Sequence, residues 1–258
     1  MIRGIFQGIR GFTGAWTLMN RHRLWSYALI PGLISAVLAL GIFGGAFYFS
    51  GDVGDWLVSW YPADWWGASW VSSVAATLAL GLVVIAALFL FKYIVMVVIS
   101  PFMAILSEKI EHTLEGTQPP PTTAGRFIKD LIRGLRIALR NVFRELLYVG
   151  LLSLAGLLFG SLIPVIGGIL PTVLIFVIQA YFAGFGNMDY TLERYRFGVK
   201  DSIRFVDSQR GLAIGNGGAF NLMLLIPVLG WFLAPVLGTV GATTELLKKG
   251  MEKHAPVR

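Results

Sequence analysis

Apolar residues fall into four long stretches separated by short charged connectors. They are residues 24–51, 65–107 (interrupted only by Lys92), 146–188 and 211–244. A helix needs about 20 apolar residues to cross the hydrocarbon core of a bilayer. Each stretch is therefore long enough for at least one crossing. The first is too long for the roughly 7–15-residue core of a signal peptide, and no small-residue cleavage pattern closes it. It is expected to remain as a helix.

Prolines divide the last two stretches. Pro164 and Pro171 split the third into arms 146–163 and 171–188. At 1.5 Å per residue each arm is roughly 27 Å long, barely a span. Pro227 and Pro235 split the fourth, whose first arm opens with the glycine-rich run 211–218. Glycine is a poor helix former, so this arm is expected to be too short to cross. The pattern predicts a re-entrant, partly penetrating hairpin there, with the same form open to the third stretch. The two tips also match. Ile163-Pro164-Val165-Ile166-Gly167 parallels Ile226-Pro227-Val228-Leu229-Gly230, and Pro171 and Pro235 follow at similar offsets. Two readings are open, a chance match of short apolar strings and an internal duplication, and the pattern shared at both expected apexes favours the duplication.

Charge gives the orientation. Residues 1–23 carry Arg3, Arg10, Arg21 and Arg23 and no acid, whereas 52–64 carries Asp52, Asp55 and Asp64 and no base. Residues 108–145, 189–210 and 245–258 are all net basic. The positive-inside rule places the N-terminus in the cytoplasm and 52–64 outside. Trp56, Trp60, Trp65, Trp66 and Trp70 crowd that outer connector, as an interfacial aromatic belt would. The third and fourth stretches then each enter and leave on the cytoplasmic side, which makes them hairpins.

Composition agrees. The chain has 258 residues, 56% hydrophobic and 14% charged, against about 25% charged in soluble domains. This excludes a soluble enzyme, a disordered chain and an ordinary nucleic-acid binder. The net charge of +7 is read as an orientation signal, with no nucleic-acid partner. There is no cysteine, and the three histidines lie far apart, so no disulfide, thiolate site or histidine metal cluster is expected. No G-x-S-x-G, P-loop or H-E-x-x-H string occurs. Neither catalysis nor a cofactor is expected.

Candidate chemistry lies in the basic residues and the tips. Arg126, Lys129, Arg133, Arg136, Arg140 and Arg144 recur every three or four residues and share a helical stripe of about 80°. Two readings are open: a cationic wall that attracts an anion, or a surface helix meeting lipid phosphates. Arg21-His22-Arg23 precedes the first crossing. It is either a topology determinant or a helix-start anion site. Helices restarting near Leu170 and Pro235 would aim free N–H groups into the membrane, as discontinuous transporter helices do. The other reading is a turn buried by neighbouring subunits. Lys92 is expected to snorkel to the cytoplasmic face, on a helix continuing through Ser100-Pro101-Phe102 to Glu115. Gly41-xxx-Gly45 and Gly156-xxx-Gly160 read as helix-packing faces. Ile2, Ile5, Phe6, Ile9, Phe12 and Trp16 fall on one face of an N-terminal helix. That helix is either interfacial or packed into a core.

Several strings taken together resemble the CysZ family of sulfate permeases, which shares a domain with the etoposide-induced membrane proteins. They are Leu29-Ile30-Pro31, Ser100-Pro101-Phe102 with Glu108, Glu111 and Gly116, and the run Pro119-Pro120-Pro121. Ile163-Pro164-Val165-Ile166-Gly167, Asp189-Tyr190, Ile226-Pro227 and Gly241-Ala242-Thr243 follow in order. The resemblance implies an inner-membrane oligomer that admits sulfate for cysteine synthesis, built from two long transmembrane helices and others that penetrate partway. One departure stands out. The family's Gly-Leu/Ile-Arg(-Arg) string before the first crossing, associated with sulfate binding, corresponds here to Arg23-Leu24-Trp25-Ser26.

The expectation is an all-α integral membrane protein forming one membrane domain over 1–258. Residues 1–23 form an interfacial amphipathic helix and 24–51 the first crossing. Residues 65–116 form the second crossing with a cytoplasmic extension. A basic helix and first Pro-tipped hairpin occupy 122–188; the second hairpin and a C-terminal helix occupy 211–250. The expected function is a bacterial inner-membrane anion permease or channel, with sulfate or a similar oxyanion as substrate and membrane lipids and further copies of the chain as partners. Arg21, Arg23, Arg133, Arg136 and Arg140 would bind the anion. Pro164, Gly167, Pro171, Pro227, Gly230 and Pro235 would mark the pore or hairpin tips. The alternatives are a non-transporting scaffold of the same family and a permease for another anion.

Overall fold

The computed structural model describes residues 1–60, 68–116, 124–160 and 169–250, and the side chains of these other than 68, 71, 124–131 and 159–160. Within them lie nine helices and no strand. In order they are α1 (Ile2–Arg21), α2 (Trp25–Val58), α3 (Ala68–Val98), α4 (Ser100–Glu115), α5 (Ala124–Gly160), α6 (Leu170–Arg194), α7 (Val199–Ser208), α8 (Arg210–Leu224) and α9 (Leu229–Leu247). Four of them contain stretches long and apolar enough to cross a membrane: Trp25–Val58, Ser72–Val98, Ile132–Leu158 and Leu170–Arg194.

The chain divides into two units, one of residues 1–33 and 96–258 and the other of 34–95. In the second unit the Phe43 and Phe91 rings lie 5.7 Å apart. Lys92 does not reach solvent there. It is buried, with its ammonium 4.8 Å from the Tyr93 ring centre and 5.5 Å from that of Phe89. This corrects the snorkelling expectation. Nothing lies within 4 Å of a Cβ built on Gly41, Gly44 or Gly45. Helix α2 runs on through Asp52 and Asp55 to Val58, where a connector was expected. Trp56 and Trp60 are exposed and meet edge to face at 6.0 Å; Trp65 and Trp66 lie outside the described residues.

The first unit is a bundle in which α8 packs on α6 and α1, and α9 packs on α1, α8, α6 and α4. The glycine-rich run 211–218 was read as a poor helix; it is helical and mostly buried. A Cβ on Gly217 would overlap the Ala180 carbonyl, and one on Gly184 the Ala213 carbonyl. Gly215 meets the backbone of Ile5 in the same way, and Gly8 that of Leu212 and Asn216. Intrinsic propensity costs about 1 kcal/mol per glycine, but close backbone approach returns dense packing over the whole helix length. Tertiary contact therefore overrides propensity.

Helix α1 packs one side into the core, the second of the two readings made of it. Gly8, Gly11, Phe12, Ala15 and Met19 are buried against the bundle, while Ile2, Phe6, Ile9 and Trp16 stay exposed. The expected continuous helix from the second crossing to Glu115 is instead two. Helix α4 starts anew after Ile99 with Pro101 in its first turn, where the missing proline N–H costs nothing.

Candidate functional site

Arg21 is the last residue of α1 and is exposed. The helix ends in a two-bond stop. The Arg23 N–H donates to the Asn20 carbonyl at 3.4 Å, and the Leu24 N–H reaches the Met19 carbonyl at 3.0 Å. Leu24 and Met19 are both buried, the apolar contact that accompanies this motif. Arg23 takes the left-handed position, φ 53, where glycine fits without strain. The chain then turns directly into α2. The Trp25 indole N–H donates to Asn20 Oδ1 at 2.6 Å, and its ring meets Trp16 edge to face at 4.9 Å. The corner thus presents Arg21 and Arg23 beside a helix start whose first N–H groups have no intrahelical acceptor.

The arginine stripe on α5 is split by packing. Arg133 turns inward. It donates to Asp189 from both terminal nitrogens, at 2.9 and 3.2 Å, and to Ser202 Oγ at 2.6 Å, and its Nε donates to the Phe197 carbonyl at 2.7 Å. Glu193 lies 3.5 Å away. With its donors engaged by two carboxylates, Arg133 joins α5 to α6 and α7, so the donors expected to meet an anion are turned to groups within the fold. Arg136 and Arg144 are exposed; Arg140 is half-buried, bonds Asn141 Oδ1 at 2.8 Å and stands 5.9 Å from the Phe185 ring centre. The side chains of Arg126 and Lys129 lie outside the described residues.

Of the tips, Pro164 and Gly167 lie outside the described residues. Pro171 sits in the first turn of α6, where a helix restart was expected. The second tip differs from expectation. Helix α9 begins at Leu229, so Pro235 lies inside it rather than at its start. The turn is made at Val228, φ 64 and ψ −63, where the Leu229 N–H closes a γ-turn onto the Pro227 carbonyl at 2.7 Å. This handedness is rare and strained, more so for a β-branched residue. A Cβ on Gly230 would overlap the Met223 carbonyl, so only glycine admits this approach of α8 and α9. Leu225, Ile226, Val228 and Leu229 are all at least half exposed, an apolar tip unsuited to water.

Motif reading missed a buried polar seam. The Ser107, Thr191 and Thr243 hydroxyls join α4, α6 and α9, at 2.9–3.2 Å from one another. The Asn187 amide donates to Asn216 Oδ1 at 2.8 Å, and Asn216 donates to the Gly238 carbonyl at 3.0 Å. The Tyr190 hydroxyl donates to the Met96 carbonyl at 2.8 Å. Arg194 pairs with Glu111, and burial, reinforced by Glu111, pushes the Tyr195 phenol up. The signal was available for Ser107, Asn187, Asn216 and Thr243, polar groups inside charge-poor stretches, but not for Tyr190 and Thr191, which fall in the charged connector 189–210. A cleft of roughly 440 Å³ opens among α1, α4 and α9, with Arg10, Glu115, Glu245 and Lys248 in its lining. Among the described residues no group of three His, Asp or Glu could hold a metal ion.

Residues 11–235 match the family described as sulfate transporter CysZ/etoposide-induced protein 2.4. The chain belongs to this family. It is 26% identical over 233 residues to the sulfate transporter CysZ of Vibrio cholerae serotype O1 (strain ATCC 39541), covering 90% of this chain and 89% of that one. It is 26% identical over 254 residues to the sulfate transporter CysZ of Salmonella typhimurium (strain LT2), covering 96% and 94%. Several strings that resemble the CysZ family prove to be architectural. Asp189 receives Arg133, Glu111 receives Arg194, and Thr243 joins the hydroxyl seam. The departure at the first crossing also gains a geometry: Arg23, which stands for the string's glycine, holds the left-handed position that glycine would fill without strain.

Proposed function

We propose that this protein is an anion permease of the bacterial inner membrane and that sulfate is its substrate. The observation that carries the reading is similarity along nearly the whole chain to relatives named sulfate transporter. In this reading α2 and α3 cross the membrane. The α5–α6 and α8–α9 hairpins enter it partway, and α1 lies in the interface. Helices α8 and α9, of 15 and 19 residues, are short for a span, and their exposed apolar tip suits a lipid or subunit environment. Arg21, Arg23, Arg136 and Arg140 concentrate the anion. The tips at Pro164, Gly167, Pro171, Pro227, Gly230 and Pro235, contributed by several copies of the chain, form the constriction, where backbone N–H groups replace hydration water. Transport needs no cofactor, and the protein is not an enzyme.

The test is sulfate flux into vesicles containing the purified protein. Flux above that of protein-free vesicles, reduced by Arg21→Ala with Arg23→Ala, supports the reading. Background flux with unchanged sulfate binding in the double variant overturns it. One observation favours a second reading, a permease for another anion or a non-transporting scaffold. Trp25 stands where the resemblance places an arginine, and its indole is already held by Asn20 and Trp16. Flux of other oxyanions in the same vesicles separates these.

A further inference from the structure

Helix α6 ends at a corner built like that between α1 and α2. The Arg196 N–H donates to the Glu193 carbonyl at 2.9 Å, and the Phe197 N–H reaches back to the Leu192 carbonyl at 3.1 Å. Phe197 and Leu192 are buried together. Arg196 takes the left-handed position, φ 60, so an arginine again stands where glycine would be unstrained. Helix termination accounts for the left-handed turn but not for an arginine there, and a strained residue of this kind points to a use for its side chain.

Two more cations continue from it at steps of four, Lys200 and Arg204 on α7. Helix α7 turns Ser202 and Val206 to the core and leaves Lys200 and Arg204 exposed, and Arg196, in the turn before it, is exposed too. The acids of α7 offset them only in part. Asp207 accepts the Tyr181 hydroxyl at 2.8 Å and lies 3.5 Å from Arg210. Asp201, exposed beside Lys200, offsets one charge of the three. The side chains of Arg196, Lys200 and Arg204 make no hydrogen bond or ion pair among the described residues. Arg196 lies two residues beyond the end of Leu170–Arg194, a helix long and apolar enough to cross a membrane. A membrane crossed by this helix would hold the three cations near its headgroups.

We propose that the α6–α7 corner is a docking surface for anionic phospholipid, with Arg196, Lys200 and Arg204 engaging the headgroup phosphate. Basic residues just beyond a span are drawn to anionic lipid, and a guanidinium can grip two phosphate oxygens at once. The surface is separate from the residues assigned to the anion path, so its test stands apart from sulfate transport.

The experiment uses the full chain in neutral detergent. Thermal unfolding is followed while phosphatidylglycerol, phosphatidylcholine or inorganic phosphate is added. Phosphatidylglycerol should raise the midpoint more than phosphatidylcholine, and 1 M salt should abolish the difference by screening. Arg196→Gly should melt no lower than the parent in the absence of lipid, because it relieves the left-handed strain. Its apparent affinity for phosphatidylglycerol should nevertheless fall roughly fivefold, and Lys200→Gln with Arg204→Gln should lose roughly fivefold per charge. An unchanged response to phosphatidylglycerol in the triple variant overturns the proposal. So does an equal response to phosphatidylcholine, or equal protection by inorganic phosphate.

Discussion

Arg133 and Asp189 meet fork to fork, with Arg133 Nη2 2.9 Å from Oδ1 and Nη1 3.2 Å from Oδ2. Their side chains are only 14% and 8% exposed. Removing one partner strands the other charge, at a cost of about 3–5 kcal/mol. Arg133→Met should therefore lower the melting temperature sharply, and adding Asp189→Leu should restore much of the loss. The check is a double-mutant cycle on thermal unfolding in detergent. An Arg133→Met protein that melts normally but fails to transport sulfate would return Arg133 to the anion path.

At the α1–α2 corner, Arg23→Gly should be stabilising. The left-handed conformation costs a non-glycine residue about 1–2 kcal/mol, and the greater freedom of glycine in the unfolded chain takes back part of that. A rise in melting temperature together with reduced sulfate flux would separate the backbone role of Arg23 from its charge.

Close approach of α6 and α8 rests on Gly184 and Gly217, whose missing side chains leave room for the Ala213 and Ala180 carbonyls. Gly217→Leu should cost at least the 1–3 kcal/mol of ordinary overpacking, since backbone must move. Loss of a monodisperse peak in gel filtration is the expected result, while Gly14→Leu, which meets nothing within 4 Å, should run like the parent.

Val228 holds the second tip in a strained γ-turn. Val228→Gly should raise thermal stability, by on the order of 1 kcal/mol. If the tip forms the constriction, the same change should alter flux without loss of folded protein.

In the unit of residues 34–95, the would-be Cβ positions of Gly41 and Gly45 meet nothing within 4 Å, and small-residue stripes of this kind pack helix on helix in membranes. Gly41→Leu with Gly45→Leu should shift the protein to smaller assemblies in cross-linking or native mass spectrometry. An unchanged distribution would exclude these two glycines from any subunit contact.

Hydropathy and charge were enough to read an all-helical membrane chain and the proline in the first turn of α6, because length and the cost of unpaired backbone leave few choices in lipid. Sequence strings carried the family. The glycine run 211–218 was misread because propensity is local, whereas its value lies in the backbones of α1 and α6 that it admits. The inward turn of Arg133 was hidden for a similar reason. Its helical phase was visible, but Asp189 and Ser202, far along the chain, turn it inward. The left-handed places of Arg23, Arg196 and Val228 have no local signature, since none is glycine. What the sequence by itself determined is thus the class of protein, its apolar helices and its family. Only the tertiary structure decided which cations are bound within the fold and which stay exposed, because that depends on partners that folding alone brings within hydrogen-bond reach.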